Sequence, residues 1–348
     1  MNCTIRKQGR RLLLLAGAFF LASQFTAAGK EWAVYRGGDG PGAGKNIVFV
    51  TGDEEYRSEE SMPQMAKILS VHHGFDCTVL FAINKEDGTI DPYQNDNIPG
   101  LHLLQSADLM VIFIRFRDLP PEQMQHIIDY IHSGKPIIGV RPSVAAFKFN
   151  RYQDQPYAKY DYTYKGDDFY GGFGRQVLGE TWIKHYGKHQ EESTRGLIAA
   201  GMENHPIVQG CRDIWGPSDV YGLTTLEGEC TPLIMGQVLS GMNPDDPPNP
   251  EKNLTPVAWL KKHRGAPDRE SYVFTTTMGH GDDFHSEGFR RLLVNACYWL
   301  LGVENITPAA SKVDIVGAYN PNPIGFHRHK TGLKPVDHQW PEPPPKQD

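Results

Sequence analysis

Tyr272-Val-Phe-Thr-Thr-Thr-Met-Gly-His280-Gly-Asp-Asp283-Phe-His285-Ser-Glu-Gly-Phe-Arg-Arg291 reads as a strand, a polar loop and a helix. Tyr272 to Thr277 has the β-branched and aromatic composition of a buried strand. Gly279 and Gly281 break that pattern. Ser286 suits a helix N-cap, and Glu287 then falls in the first turn, where the helix dipole favours an anion. Phe289, Leu292, Leu293, Ala296, Cys297 and Leu300 recur at helical spacing and define one apolar face, with Gly302 as the stop. Two histidines and two aspartates lie between strand and helix. In an open α/β sheet that position, beyond the carboxyl ends of the strands, is where ligands bind.

Upstream, the same alternation recurs. Lys45 to Thr51 is a continuous apolar run suited to a buried parallel strand. The loop Gly52-Asp-Glu-Glu-Tyr-Arg-Ser58 leads into a helix over Glu59 to His72, with Met62, Met65, Ile68 and Leu69 inward and Gly74 as its stop. Cys77 to Phe81 and Asp108 to Ile114 are the second and third strands. Pro120 and Pro121 suit a helix start, and Met124, Ile127, Ile128 and Ile131 make the helical stripe. Pro136 to Val140 is the fourth strand. Alternating strands and helices imply right-handed crossovers and an α/β domain with a parallel sheet. Asn84 to Asn97 reads as a loop, and Leu101, Leu103 and Leu104 as a short helix. Residues 150–174, rich in Tyr, Asp, Lys and Gly, read as an ordered loop over the sheet edge. Thr255 to Leu260 and Tyr272 to Thr277 suit a hairpin at that edge.

The 348 residues suffice for one large domain with inserted loops. Apolar content of 39% and charged content of 22% are those of a soluble globular protein. A net charge of -6 argues against a nucleic-acid binder, which needs a basic surface. Residues 1–28 have the basic, apolar and small-residue order of a signal peptide, with Arg6, Lys7, Arg10 and Arg11, then Leu12 to Ala22, then Thr26-Ala27-Ala28. Export to the periplasm or the medium follows, with no stable membrane span after cleavage; a retained anchor is the alternative. Residues 29–44 read as a linker or N-terminal arm, 45–302 as the domain, and 303–348 as an extended tail that wraps the surface. Cys211 and Cys230 are able to pair in an oxidising compartment. No Cys-x-x-Cys spacing occurs.

A parallel sheet brings four groups to one rim: Asp53, Glu54, Tyr56 and Arg57; Arg115 and Arg117; Arg141 and Ser143; and His280, Asp283 and His285. Arg and Tyr with carboxylates and imidazoles suit a hydroxyl-rich or carboxylate ligand. His280 and His285 suit a general acid and base, or are plain loop histidines. Asp283 either orients one of them or caps the last helix. His185 and His189, four apart, have a metal-ligand spacing on a helix, although Gly187 between them disfavours one. Arg115 and Arg117 point the same way on an extended segment and can clamp a carboxylate, or pair with Asp118 or Glu122. Asp219 and Tyr221 line the same rim or form a turn. Ser143 is the one candidate hydroxyl nucleophile, but the G-x-S-x-G elbow is absent, and no Rossmann or Walker glycine loop follows any strand.

Gly52-Asp-Glu-Glu-Tyr-Arg-Ser-Glu-Glu60, Gly139-Val-Arg141, Asn204-His205-Pro-Ile-Val, Asp219-Val-Tyr221 and Gly279-His280-Gly-x-Asp-Phe-His-x-x-x-Phe-Arg-Arg291 together resemble the ThuA-like, or trehalose-utilisation, family over about residues 45–302. The resemblance implies a flavodoxin-like, mostly parallel sheet of the class I glutamine amidotransferase type, with helices on both faces. Asn320-Pro-Asn-Pro-Ile-Gly-Phe326 resembles an extension found in one secreted branch. Where the amidotransferase cysteine would fall this chain has Arg141-Pro142-Ser143, so glutamine amidotransferase activity is not expected. Relatives often carry a histidine where Ala145 stands here. The family's link to disaccharides and keto-sugars implies a small carbohydrate ligand. The expectation is a secreted or periplasmic enzyme acting on a disaccharide or keto-sugar derivative by acid–base chemistry. His280, Asp283, His185 and His285 would carry protons, and Tyr56, Arg57, Arg115, Arg117, Arg141, His189, Asp219 and Tyr221 would hold substrate. No cofactor is expected, with a divalent metal as the exception to test, and a homo-oligomer is open. The alternative is a non-catalytic carbohydrate-binding or partner-binding protein on a degenerate amidotransferase-like fold.

Overall fold

A computed structural model describes residues 31–266, 268–303 and 311–341. The segment read as a signal peptide lies outside the described residues. Strands β1 (Trp32–Tyr35), β2 (Asn46–Gly52), β3 (Asp76–Leu80), β4 (Leu109–Ile114) and β5 (Ile137–Val140) come first, with helices α1 (Ser58–His73) and α2 (Pro121–His132) between them. The ribbon strands β6 (Lys184–His185) and β9 (Tyr221–Gly222) pair with each other. Strands β7 (Thr194–Ile198), β8 (Ile214–Gly216), β10 (Cys230–Val238), β11 (Thr255–Gly265) and β12 (Arg269–Thr276) complete the main sheet, and helix α3 (Glu287–Leu300) follows.

The main sheet runs β1-β3-β2-β4-β5-β12-β11-β10-β7-β8. Strands β3, β2, β4, β5 and β12 are parallel. Strand β1 at one edge and the run β12-β11-β10-β7-β8 toward the other are antiparallel. The sheet is therefore mixed, and the expected parallel arrangement describes its middle. The hairpin of β11 and β12 is a correction to the sequence reading: it lies inside the sheet, with β12 beside β5, and the edges are β1 and β8. Composition explains the shift. Val273 to Thr276 of β12 are all buried, as a central strand requires, whereas β7 carries Arg195 and Gly196, and β10 carries Pro232 and a bulge. Those two strands lack the apolar alternation that announces a strand. The arm at 29–44 carries strand β1.

Alternation along the strands feeds two cores. Ile47, Phe49, Leu109, Val111 and Phe113 share one with Met62, Met65 and Leu69 of α1 and Phe289, Leu292 and Leu293 of α3. Val48, Val50, Met110, Ile112 and Ile114 share the other with Met124, Ile127 and Ile131 of α2. Each such side chain contributes about 1.5–3 kcal/mol on full burial. Strands β4 and β5 are buried throughout, β2 and β12 are buried at their carboxyl ends, and the loops that carry the site leave from the carboxyl ends of these four strands.

Candidate functional site

The loop after β2 is built around Asp53. Its Oδ1 accepts from Glu55 N at 3.0 Å and from Tyr56 N, and its Oδ2 accepts from Ser58 N at 2.9 Å. One buried carboxylate thus ties the loop to the first turn of α1, where the helix dipole favours it. Arg57 takes a left-handed conformation with φ 69°, which turns the chain into the helix. The result is that Glu54 and Glu55 face the end of β4. Arg115 Nη1 lies 3.0 Å from Glu54 Oε1 and 2.9 Å from Glu55 Oε2, and Arg117 Nη2 lies 3.0 Å from Glu54 Oε2.

The expected extended segment at Arg115 and Arg117 is kinked, because Phe116 between them has φ 51°. Both guanidiniums reach Glu54 all the same. Arg117 is buried, and it also donates from Nη1 to Pro92 O at 2.9 Å and from Nε to Arg115 O at 2.6 Å. It fixes the loop. Arg115 stays partly open, with its guanidinium 4.4 Å from the Phe116 ring and 5.3 Å from the Phe326 ring.

Asp219 is the hub. Its Oδ1 accepts from Arg141 Nη2 at 2.6 Å and from His189 Nδ1 at 2.8 Å, and its Oδ2 accepts from His185 Nδ1 at 2.7 Å. Arg141, wholly buried after β5, also donates from Nη1 to Thr277 O at 2.8 Å and to the Asp219 carbonyl at 2.5 Å. Its guanidinium is 3.8 Å from the Tyr221 ring and 4.9 Å from the Tyr56 ring, a cation–π clamp. The β6–β9 ribbon sets His185 opposite Tyr221, two residues beyond Asp219. No helix joins the two histidines. The chain turns at Gly187, where a Cβ would lie 3.3 Å from Asp219 Cβ, and this close approach returns His189 to the same carboxylate. His189 Nε2 then reaches Glu55 Oε1 at 3.2 Å, which joins the hub to the Asp53 loop.

The charges follow from these contacts. Burial opposes ionisation of Asp219, but Arg141 and the bonds from His185 and His189 prevail and hold it well below the usual carboxylate range. The bonds to Asp219 and then Glu55 push His189 up to about 9, against its burial, so it is an imidazolium at neutral pH. Burial raises Glu55, yet the bond from His189 and the charge of Arg115 bring it below its ordinary value. His185 is the most open of the hub, with 35% of its side chain exposed. With Nδ1 committed to Asp219, the ring is held as the tautomer that leaves Nε2 facing outward. A carboxylate that fixes an imidazole this way makes a proton-transfer group of it.

The family model of ThuA, described as trehalose utilisation, matches residues 46–300. The chain belongs to the ThuA family. Two solved ThuA-like proteins are similar to it. One, from Bacteroides uniformis ATCC 8492, is 14% identical at TM-score 0.44, covering 76% of this chain and 93% of that one. The other, from Parabacteroides merdae ATCC 43184, is 12% identical at TM-score 0.45, covering 85% and 99%. No curated protein matches the sequence.

In this ThuA-family chain, His185, His189, Asp219, Arg141, Tyr56, Tyr221 and Arg115 converge, as gathering at one rim requires. Arg117 and Arg57 stand behind them. Arg57 is buried and donates to Pro323 O at 3.3 Å and to Gly325 O. His280 is buried at 1% exposure; its Nδ1 accepts from Asp282 N at 2.8 Å, and its Nε2 has no partner. Burial, with Arg141 and Arg57 adding to it, pushes His280 down to about 3, so it is neutral. Asp283 is bonded to Ser218 Oγ at 2.5 Å and Gly279 N at 2.7 Å, and burial pushes it up to about 6. It pins the β12–α3 loop to the turn before Asp219. His285 is half exposed and contacts Tyr319 and Asp282, apart from the hub. Ser143 Oγ donates to Ile112 O at 2.8 Å and accepts from Ile114 N at 3.1 Å, a structural role at the end of β4. Cys211 and Cys230 are both free. Sequence reasoning missed Glu55 as the link between His189 and Arg115; its place in the acidic run after Asp53 was the available signal.

Proposed function

We propose that this protein is a carbohydrate-processing enzyme that works on a disaccharide or keto-sugar derivative by acid–base chemistry centred on His185. The observation that carries the reading is the Asp219 carboxylate held by buried Arg141 on one side and bonded to His185 Nδ1 at 2.7 Å on the other. In this reading His185 Nε2 removes the proton from the carbon beside a sugar ketone. The electron pair moves into a carbon–carbon double bond, and negative charge develops on the ketone oxygen. Arg115 and the His189 imidazolium supply positive charge where that oxygen forms. Return of the proton to the former ketone carbon, with the hydroxyl proton of the deprotonated carbon passing to the ketone oxygen, isomerises the sugar; departure of a β-placed glycosidic oxygen, protonated by His185, breaks the glycoside. Membership of a family described as trehalose utilisation supports the substrate class.

A second reading has one specific observation behind it. His185, His189 and Asp219 each offer a ligand atom, all within 4.8 Å of one another, and two imidazoles with one carboxylate are a known divalent-metal set. The donor types fit. The charge state fits less well, since a metal must displace the protons that bond both rings to Asp219. The composition of residues 1–28 supports export to the periplasm or the medium. No helix among the described residues is long and apolar enough to cross a membrane.

The test is solvent deuterium exchange into the keto derivative of trehalose, followed by NMR. Wild-type protein is expected to exchange the proton beside the ketone, and His185→Ala to lose at least a hundred-fold in rate while melting normally. Absence of exchange and turnover in the wild type would leave carbohydrate binding without catalysis as the function. Exchange that is abolished by a chelator and restored by zinc or manganese would favour the metal reading.

A further inference from the structure

Beside the histidine hub runs a cleft of about 590 Å³ whose walls include Tyr162, Trp182 and Tyr170 and whose floor includes Arg175, Glu180 and Thr224. Its size is that of a small-ligand pocket. Two of its aromatic walls are also the neighbours of the two open groups of the hub. The Trp182 ring meets the His185 ring edge-on at 5.9 Å. Tyr162 lies 5.1 Å from the Phe116 ring, which carries the Arg115 guanidinium. Tyr162 and Trp182 in turn are 6.5 Å apart at 62°. Trp182 and Tyr162 thus border both the cleft and the open groups of the hub.

We propose that this cleft is a second sugar subsite, which takes the distal pyranose of a disaccharide whose reacting unit sits at His185; the assignment rests on the carbohydrate reading above. The chemistry of the walls selects this occupant. Half-exposed aromatic rings offer apolar faces for the axial C–H groups of a pyranose. Tyr170, 46% exposed, adds a third ring to the lining, with Lys165 Nζ 5.1 Å from its centroid. The floor is polar but internally neutral. Glu180 is buried and accepts from Arg175 Nη1 at 2.8 Å, from Thr181 N at 2.9 Å and from the Thr224 hydroxyl, while Arg175 Nη2 lies 3.0 Å from Glu227 Oε2. The Arg175 guanidinium is compensated by Glu180 and Glu227, and the one ammonium of the lining, Lys165, is placed 5.1 Å over the Tyr170 ring; a purely apolar ligand would leave this floor without water. Hydroxyl groups suit such a floor, because each is donor and acceptor at once. Gly171 forms part of the wall with φ 78°, and a Cβ there would lie 2.7 Å from Arg175 Cβ, so the wall has no room for a side chain.

The consequence is a length preference. Calorimetric titration of the full protein with glucose, trehalose, maltose, cellobiose and sucrose is expected to give at least one disaccharide a ten-fold advantage over glucose. Tyr170→Ala, a partly exposed position whose variant is checked by its melting curve, is expected to reduce that ratio toward one, and Thr224→Val to reduce it several-fold. A panel without any disaccharide advantage overturns the subsite, as does an advantage that Tyr170→Ala leaves intact. Light scattering that shows a dimer dispersed by Tyr170→Ala also overturns it and assigns the wall to a second copy of the chain. Deuterium exchange without length preference would defeat the subsite alone. Length preference without exchange would defeat the acid–base reading alone.

Discussion

At the scale of single residues, the hub stores its electrostatics in one imidazole. His189 is held between Asp219 and Glu55, with the His185 ring 4.7 Å away, the Tyr56 ring 6.2 Å away, and Arg141 beyond Asp219. Both carboxyls have lowered affinity for protons, so both are charged across the neutral range. The sign of the linkage follows. His189 binds its proton more tightly when folded, about 9 against an ordinary 6.5, so its contribution is complete below pH 6.5 and is lost as pH rises to 9. Urea denaturation between pH 6 and 10 is expected to show stability falling across that window, and His189→Gln to flatten it. A wild-type profile already flat from 6.5 to 9 would mean that the imidazole is neutral in the native protein. Arg141, His185 and His189 were all visible in the sequence as site material. Asp219 was named with them, but its part as their common partner was not legible: it lies 34 residues from His185 and 78 from Arg141, separations across which no pattern of spacing carries information.

At the scale of elements, β12, its loop and α3 were legible because each carries a local signal. Ser286 does cap α3, its Oγ accepting from Phe289 N at 3.3 Å, and Glu287 lies in the first turn. The role of the glycine between strand and hub was not legible. Gly279 has φ 146°, and a Cβ there would lie 2.2 Å from Val140 Cγ1. It lets the β12 loop pass directly over the end of β5, which sets Gly279 N on Asp283 at 2.7 Å and Ser218 on the same carboxylate. Gly279→Ala is therefore expected to cost about 2–5 kcal/mol through the strained backbone and the overlap together. Differential scanning calorimetry would read this as a melting temperature lower by several degrees, and an unchanged temperature would mean that Val140 yields without loss. Strands β7 and β10 were missed for the opposite reason. Their partners, not their own composition, make them strands: β10 is held between β11 and β7 despite Pro232.

At the scale of the whole molecule, the C-terminal segment completes the site from outside. The tail was expected to wrap the surface, but its contacts are more specific than a wrapping. Val313 and Val316 enter the core shared by α1 and α3. Tyr319 Oη donates to Gly281 O at 2.6 Å, and Gly325 N donates to Glu55 O at 3.0 Å. Lys330 pairs with Glu60, and Leu333 O accepts from Ile90 N at 2.7 Å. Further on, Gln339 Nε2 donates to Trp32 O at 3.2 Å, at the edge strand β1. The segment thus bonds the loops after β2 and β12 and leaves Phe326 half exposed against Arg115. None of this has a periodic signature, because these are one-off loop contacts, and all but the Tyr319–Gly281 bond join positions some 240–310 residues apart. The arrangement makes a prediction that separates a strap from a passive tail. A chain ending at residue 310 leaves Arg57 at the base of the loop with its carbonyl partners at Pro323 and Gly325 removed and only Glu59, at 3.9 Å, beside it, and a buried guanidinium stripped of those hydrogen bonds is costly enough to open the loop around it. Hydrogen exchange should then rise by an order of magnitude or more at Asp53 to Ser58 and at His280 to His285, with β2 and β4 still protected. Exchange that rises only next to the truncation point would mean that the Asp53 carboxylate holds the loop unaided.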